Sequence, residues 1–341
     1  MNATTAVDRD LTDMMSAVFA RYREQHPPEK VATWDDELWS ALADLGLTRL
    51  TGSEASGGSG AGWTEAAELL RAAATHGVRV PLAEHDLLAC RLLDDAGLPV
   101  DAGRRTVCVL DRTGTARGVP WAGEADRVVT VWRAGGSYLV ADVATADLRI
   151  TGGVNTAGEP RDTVTADLAQ LTGIAVPDTA IEQLWLRGAL ARGLQVCAAL
   201  DRVLELSVTH ASERVQFGRP LARFQAVQTL VADIAAQASL ARAATEAALA
   251  AAVRTDWRGP ELDFLVAVAR SCAGHATSVV VRNAHQVHGA MGTTLEHRLH
   301  EFTGAALAWR SEFGSVGFWD DKLTTAALAA GRDGLWPLIT A

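Results

Sequence analysis

Two long segments of helical apolar periodicity, about residues 181–212 and 224–253, meet at Glu213-Arg214-Val215-Gln216-Phe217-Gly218-Arg219-Pro220-Leu221-Ala222-Arg223-Phe224-Gln225. This join constrains the fold more than any other stretch. Proline removes a backbone donor and glycine tolerates sharp turns, so Gly218-Arg219-Pro220 ends one helix and re-aims the next. A turn requires Gly218 and Pro220 but not the residues around them. Arg214, Gln216, Phe217 and Gln225 gather guanidinium, amide and aromatic groups at one corner between helices.

The period of the apolar residues divides the remainder into three parts: a helical region over 1–100, a β region over 101–176 and a helical bundle over 177–341. In the first, Thr33 stands three residues before Asp36 as an N-cap, with Leu38, Leu42 and Leu45 on one helix face. In the second, Val107–Leu110, Arg127–Trp132, Ser137–Val140 and Leu148–Ile150 are short, rich in β-branched residues and separated by turn residues, as in an antiparallel barrel or sandwich. In the third, the apolar face from Leu230 to Val253 needs cover, which predicts an oligomer.

With 341 residues, 48% of them hydrophobic, the chain is long enough for a sizeable core. Its net charge of −10 argues against a nucleic-acid surface. No run reaches the roughly eighteen consecutive apolar residues of a membrane span, and Met1-Asn2-Ala3-Thr4-Thr5 carries no leader pattern, so a cytoplasmic protein without membrane attachment is expected. Cys90, Cys108, Cys197 and Cys272 are widely spaced and read as buried thiols in a reducing compartment.

The corner resembles the Arg-x-x-Phe-Gly segment, followed by a Gln, of the acyl-CoA dehydrogenase family. Gln286-Val287-His288-Gly289-Ala290-Met291-Gly292 is similar to that family's Gln-x-x-Gly-Gly-x-Gly turn, about seventy residues further on. Leu38-Trp39, Leu45-Gly46-Leu47, Glu54 and Gly57-Gly58-Ser59-Gly60 resemble its first helices and the loop after them. The resemblance implies a mainly α fold with a β middle domain: N-terminal helices, a small β-barrel or sandwich and a C-terminal four-helix bundle. It also implies an FAD flavoprotein, an oxidoreductase of lipid metabolism that performs α,β-dehydrogenation of an acyl-CoA and passes electrons to an electron-transfer flavoprotein. By that likeness Arg214, Gln216, Phe217, Gln225, Gln286, Gly289 and Ala290 contact FAD bound mainly by a neighbouring subunit.

Departures from the family pattern are concentrated at the chemistry. A carboxylate base is expected in a Tyr-Glu-Gly-Thr segment, and Glu312-Phe313-Gly314-Ser315 stands there with its Glu displaced by one residue. The other position used by relatives falls near Gly188, where no carboxylate stands. The flavin-ring segments have no counterpart between Leu98 and Trp121. Glu296-His297-Arg298-Leu299-His300 matches a subset of relatives, chiefly actinobacterial steroid side-chain dehydrogenases that work as pairs of unlike subunits. The expectation is the short subunit of such a heterotetramer in steroid degradation, paired with a full-length paralogue and acting on an acyl-CoA such as a steroid-CoA without supplying the base. A non-catalytic scaffold or regulatory subunit, and a homo-oligomer using Glu312, are the alternatives.

Two further patterns invite other chemistry. His285, His288, His297 and His300 form two His-x-x-His pairs, but they lack the Cys or carboxylate partners usual at zinc, and no metal is expected. Gly57-Gly58-Ser59-Gly60-Ala61-Gly62 lacks a following Gly-Lys-Ser/Thr and reads as a turn entering the Trp63 helix rather than a phosphate loop.

Overall fold

The structure, a computed structural model, describes residues 7–340; the stretch Met1–Thr5 lies outside the described residues. Two compact units divide inside a long helix, between Gly188 and Ala189.

The first unit opens with α1 (Arg9–Gln25), α2 (Asp36–Asp44) and α3 (Trp63–His76). Met15 and Phe19 on α1 are fully buried, and α1 packs along α3. The N-cap of α2 is Asp35 rather than Thr33: its carboxylate accepts from Leu38 N at 2.8 Å and also from the Tyr22 hydroxyl at 3.0 Å. Leu38 and Leu42 are buried as expected, but Leu45 is the exposed C-cap, because the helix ends before that face completes another turn. The glycine-rich loop uses its amides on its own chain. Ser59, Gly60 and Ala61 donate to the carbonyls of Arg49, Gly52 and Leu50. A Cβ on Gly58 would come within 2.1 Å of the Gly52 carbonyl oxygen, so close backbone packing explains that glycine.

After α3 comes a π-helical segment, Ala83–Cys90, all eight residues of which are buried, and then α4 (Arg91–Asp95). This segment backs the β region: the Arg105 backbone N–H donates to His85 Nδ1 at 3.0 Å. Burial, with the guanidiniums of Arg49 and Arg105, pushes the His85 pKa down to about 3, so this imidazole is a neutral acceptor.

Seven strands follow: β1 (Arg105–Val109), β2 (Thr115–Pro120), β3 (Arg127–Ala134), β4 (Ser137–Ala144), β5 (Arg149–Thr151), β6 (Arg161–Thr165) and β7 (Ile174–Val176). They form a four-stranded sheet in the order β1-β3-β4-β7 and a three-stranded sheet in the order β2-β6-β5. The expected sandwich-like β domain is present, with one correction: β1 and β3 are parallel. The connection between them passes through β2 in the other sheet and so returns in the same direction, which a direct hairpin cannot do. Cys108, Val119, Val128, Trp132 and Val164 form the core drawn from both sheets.

The second unit contains the remainder of α5 (Asp178–Glu213), then α6 (Gln225–Thr255), α7 (Pro260–His288), α8 (Leu299–Trp309) and α9 (Val316–Thr340), the last broken at Gly331. α6 and α7 form the most extensive helix pair. Ala238, Ala241, Ala248 and Ala252 of α6 and Ala269, Ala273, Ala276 and Ala284 of α7 are all buried, and such small side chains permit close approach. α7 belongs to a stretch, Glu261–Thr293, long and apolar enough to cross a membrane, and half of its most apolar window is buried within the protein. On α6, Leu240 and Val253 remain exposed. Burial pushes the Cys90 and Cys108 thiols up to about 12, which makes them packing groups rather than nucleophiles.

The cap assignment separates two neighbouring residues. Asp35→Ala should cost about 1–2 kcal/mol of stability by denaturant unfolding, whereas Thr33→Ala should stay within about 0.5 kcal/mol.

Candidate functional site

The corner between α5 and α6 folds as a miniature hairpin. β8 (Val215–Gln216) pairs with β9 (Arg219–Pro220), Val215 opposite Pro220 and Gln216 opposite Arg219. Phe217 and Gly218 make the two-residue loop, with φ of 52° and 78°. Two successive positive φ values are the signature of a hairpin turn whose twist matches its strands. Glycine adopts that backbone without cost; a bulky phenylalanine does not. Phe217 is also 91% exposed, touching only the edge of Phe224 at a centroid distance of 6.1 Å among the described aromatic rings. Phe224 itself is half-buried rather than a core residue, and the Arg219 guanidinium lies 4.2 Å from its ring centroid. That cation–π contact braces the hairpin against the start of α6.

Arg214, Gln216 and Gln225 are exposed, and their side chains make no hydrogen bond among the described residues. The second motif closes α7. Gln286 is exposed on its last turn, Gly289 is the C-cap with φ 58° and ψ −141°, and Ala290 begins a short 3-10 turn to Thr293. Gly289 is required by its backbone angles, since a Cβ there would meet nothing within 4 Å; Gly292 is required by space, because a Cβ would sit 2.8 Å from His288 Cβ. The His210 and His288 rings stack at 4.4 Å, one turn before Arg214 and one residue before Gly289. Both motifs therefore stand at one end of the same bundle.

Glu312 is held elsewhere in that bundle. Arg192 Nε donates to Glu312 Oε2 at 2.6 Å, and Arg192 Nη1 donates to Gln195 Oε1 at 2.6 Å. Arg270 Nη2 donates to the carbonyls of Trp309, Arg310 and Glu312 at 3.2, 3.0 and 2.8 Å. Burial pushes the Arg270 pKa down to about 10; the Arg192 charge adds to the fall and Glu312 opposes it. The Glu312 side chain, 20% exposed, is the counter-ion of two buried guanidiniums. Sequence reading missed this pair: arginines inside an alanine-rich helix look like surface charges until the fold buries them.

Comparison with known proteins places this geometry. Residues 179–315 match the acyl-CoA dehydrogenase C-terminal domain. That stretch is an acyl-CoA dehydrogenase C-terminal domain. It is 27% identical over 315 residues to acyl-CoA dehydrogenase FadE34 of Mycobacterium tuberculosis, covering 86% of this chain but 42% of that protein. It is 29% identical to acyl-CoA dehydrogenase IpdE2 of the same organism, covering 78% of this chain and 79% of the relative. In fold it is similar to a chain of the ChsE4–ChsE5 complex from Mycobacterium tuberculosis, with TM-score 0.83, 23% identity and coverage of 97% and 99%. The Tcur3481–Tcur3483 steroid ACAD gives TM-score 0.81, 22% identity and coverage of 95% and 98%.

FAD is the cofactor this family implies, and the exposed groups suit part of it. Arg214 and the Gln216, Gln225 and Gln286 amides are outward donors without internal partners among the described residues, and Gly289 leaves an open backbone surface. These groups suit phosphate, ribose or adenine edges. The family's flavin-ring residues remain absent between Leu98 and Trp121, where β1 and β2 run.

Removing the counter-ion should unfold before it inactivates. Glu312→Ala leaves two buried guanidiniums uncompensated and should lower stability by about 3–5 kcal/mol in denaturant titrations. A variant as stable as the parent would free Glu312 for catalysis.

Proposed function

We propose that this chain is the short subunit of a heteromeric acyl-CoA dehydrogenase, completing a flavin site held mainly by a full-length paralogue that supplies the base. The observation that carries this reading is Phe217, an aromatic ring with a left-handed backbone and 91% exposure. Among the described aromatic rings only the edge of Phe224 meets it, whereas a pocket in a second protein would bury it as an apolar anchor.

FAD, when bound, supplies the hydride acceptor for α,β-dehydrogenation. The contribution of this chain is placement. Arg214 brings a permanent charge and a planar donor fork suited to phosphate oxygens. Gln216, Gln225 and Gln286 add amide donors and acceptors, and Gly289-Ala290 permits close approach of backbone to the cofactor. The proton from the substrate α-carbon goes to a carboxylate of the partner, because the Glu312 carboxylate is bonded to Arg192 and lies beside the Arg270 charge. The likeness to the ChsE4–ChsE5 complex and to a steroid ACAD supports a paralogue partner and a bulky, steroid-like acyl-CoA; an electron-transfer flavoprotein is the acceptor that the family resemblance implies.

Co-expression with a full-length acyl-CoA dehydrogenase paralogue, with purification through a tag on this chain, tests the reading. About one FAD per pair is expected, by analogy with sites shared across an interface. Flavin-loaded, active protein without a partner would overturn it, and so would a stable pair devoid of flavin, which would be a scaffold.

Phe217→Gly should leave the isolated chain no less stable, since it relieves the left-handed backbone, yet weaken pairing about tenfold or more. Arg214→Ala should lower flavin affinity of the pair by about tenfold or more.

A further inference from the structure

His210, His288 and His297 come from the end of α5, the end of α7 and the segment before α8, and their ligating atoms all lie within 4.8 Å of one another. The sequence pairs of histidines three apart do not predict this set, because His210 is far away in the chain and His285 and His300 face other partners. His285 Nε2 lies 3.3 Å from the Thr303 hydroxyl, and His300 Nδ1 lies 2.8 Å from the His297 carbonyl.

His288 sets the chemistry. Its side chain is 4% exposed, and its Nδ1 donates to the Ala284 carbonyl at 2.8 Å, which fixes the tautomer and leaves a lone pair on Nε2. That Nε2 is buried with no hydrogen-bond partner. Leaving such an acceptor unmet is costly, whereas an imidazole oriented by a backbone carbonyl through its other nitrogen is how metal-ligating histidines are held. The rings surround it: His210 stacks at 4.4 Å and His297 meets it edge-on at 4.7 Å.

We propose that His210, His288 and His297 bind a divalent transition-metal ion of the zinc type, with water in the fourth position. Three nitrogens at tetrahedral zinc distances would lie about 3.3 Å apart, so the rings need to close by roughly an ångström and His210 has to turn out of its stack on His288, since ring lone pairs lie in the ring plane. His210 and His297 are half-buried and can move; His297 Nδ1 accepts only a local bond from Leu299 N at 3.1 Å, which a ring rotation gives up. Bound there, the ion would staple the base of the Arg214–Gln225 hairpin to the Gly289 turn. The site is built without reference to flavin, and its metal content is measured apart from it.

The test uses full-length protein purified without a histidine tag, stripped with a chelator and titrated with Co2+ and Zn2+. About one ion per chain is expected, with the visible absorption of tetrahedral cobalt and a rise in unfolding temperature. His288→Asn and, as the half-exposed variant that spares the core, His210→Asn should each abolish the cobalt spectrum, while His275→Ala, at an exposed histidine paired with Asp320, should keep it. No retained ion in the parent protein, or an unchanged spectrum in both His288→Asn and His210→Asn, would overturn the proposal and leave the cluster as packed imidazoles.

Discussion

The ion cluster of Arg192, Glu312 and Arg270 holds the bundle's working geometry together. Arg270 on α7 gathers three carbonyls at the end of α8, while Arg192 on α5 takes the carboxylate that follows them. Two nitrogens of Arg270, Nε and Nη1, remain buried without hydrogen-bond partners, so three carbonyl bonds through Nη2 and the Glu312 charge offset burial and the like charge of Arg192. Removing one member leaves the others uncompensated. Three helices are thereby fixed relative to one another, and the turn through Phe313 and Gly314 leads into α9, which packs back on α7 through Asp320 and Ser271.

That commitment has a functional consequence. A catalytic base must be free to take and release a proton, and a carboxylate neutralising two buried arginines cannot be protonated without exposing their charges to a low dielectric. The residues left available for function are those that the chain holds outward: the hairpin carrying Phe217 and the Gly289 turn beside it. On the function proposed above, this end of the bundle presents groups to a partner and leaves the chemistry to it. Strain at Phe217 and exposure of its ring point the same way, since a protein seldom keeps a costly backbone for an unused side chain.

Much of this was legible in the sequence, for reasons particular to each element. Gly218 and Pro220 marked the corner between two helices because their backbone limits are local, though not its strand pairing, and Gln286 through Gly292 marked the second turn for the same reason. The long helices were visible because their apolar faces repeat. β2, β6 and β7 escaped notice: β2 and β6 mix Arg, Asp and Thr with few apolar residues, and β7 is only three residues long. The parallel β1–β3 pair was hidden because direction is set by where the intervening strand goes. Asp35 beat Thr33 as a cap because Tyr22, thirteen residues earlier, also bonds it. Local spacing likewise grouped the wrong histidines; only the fold brings His210 to His288 and His297.

On the function proposed above, this chain presents half of a flavin site and needs another subunit for the rest. FAD titrated into the isolated chain, followed by flavin fluorescence and by anaerobic bleaching with an acyl-CoA, distinguishes a half-site from a whole one. No stoichiometric binding and no bleaching are expected until a full-length paralogue is added. Tight binding of FAD to the chain alone, bleached by substrate, would contradict it.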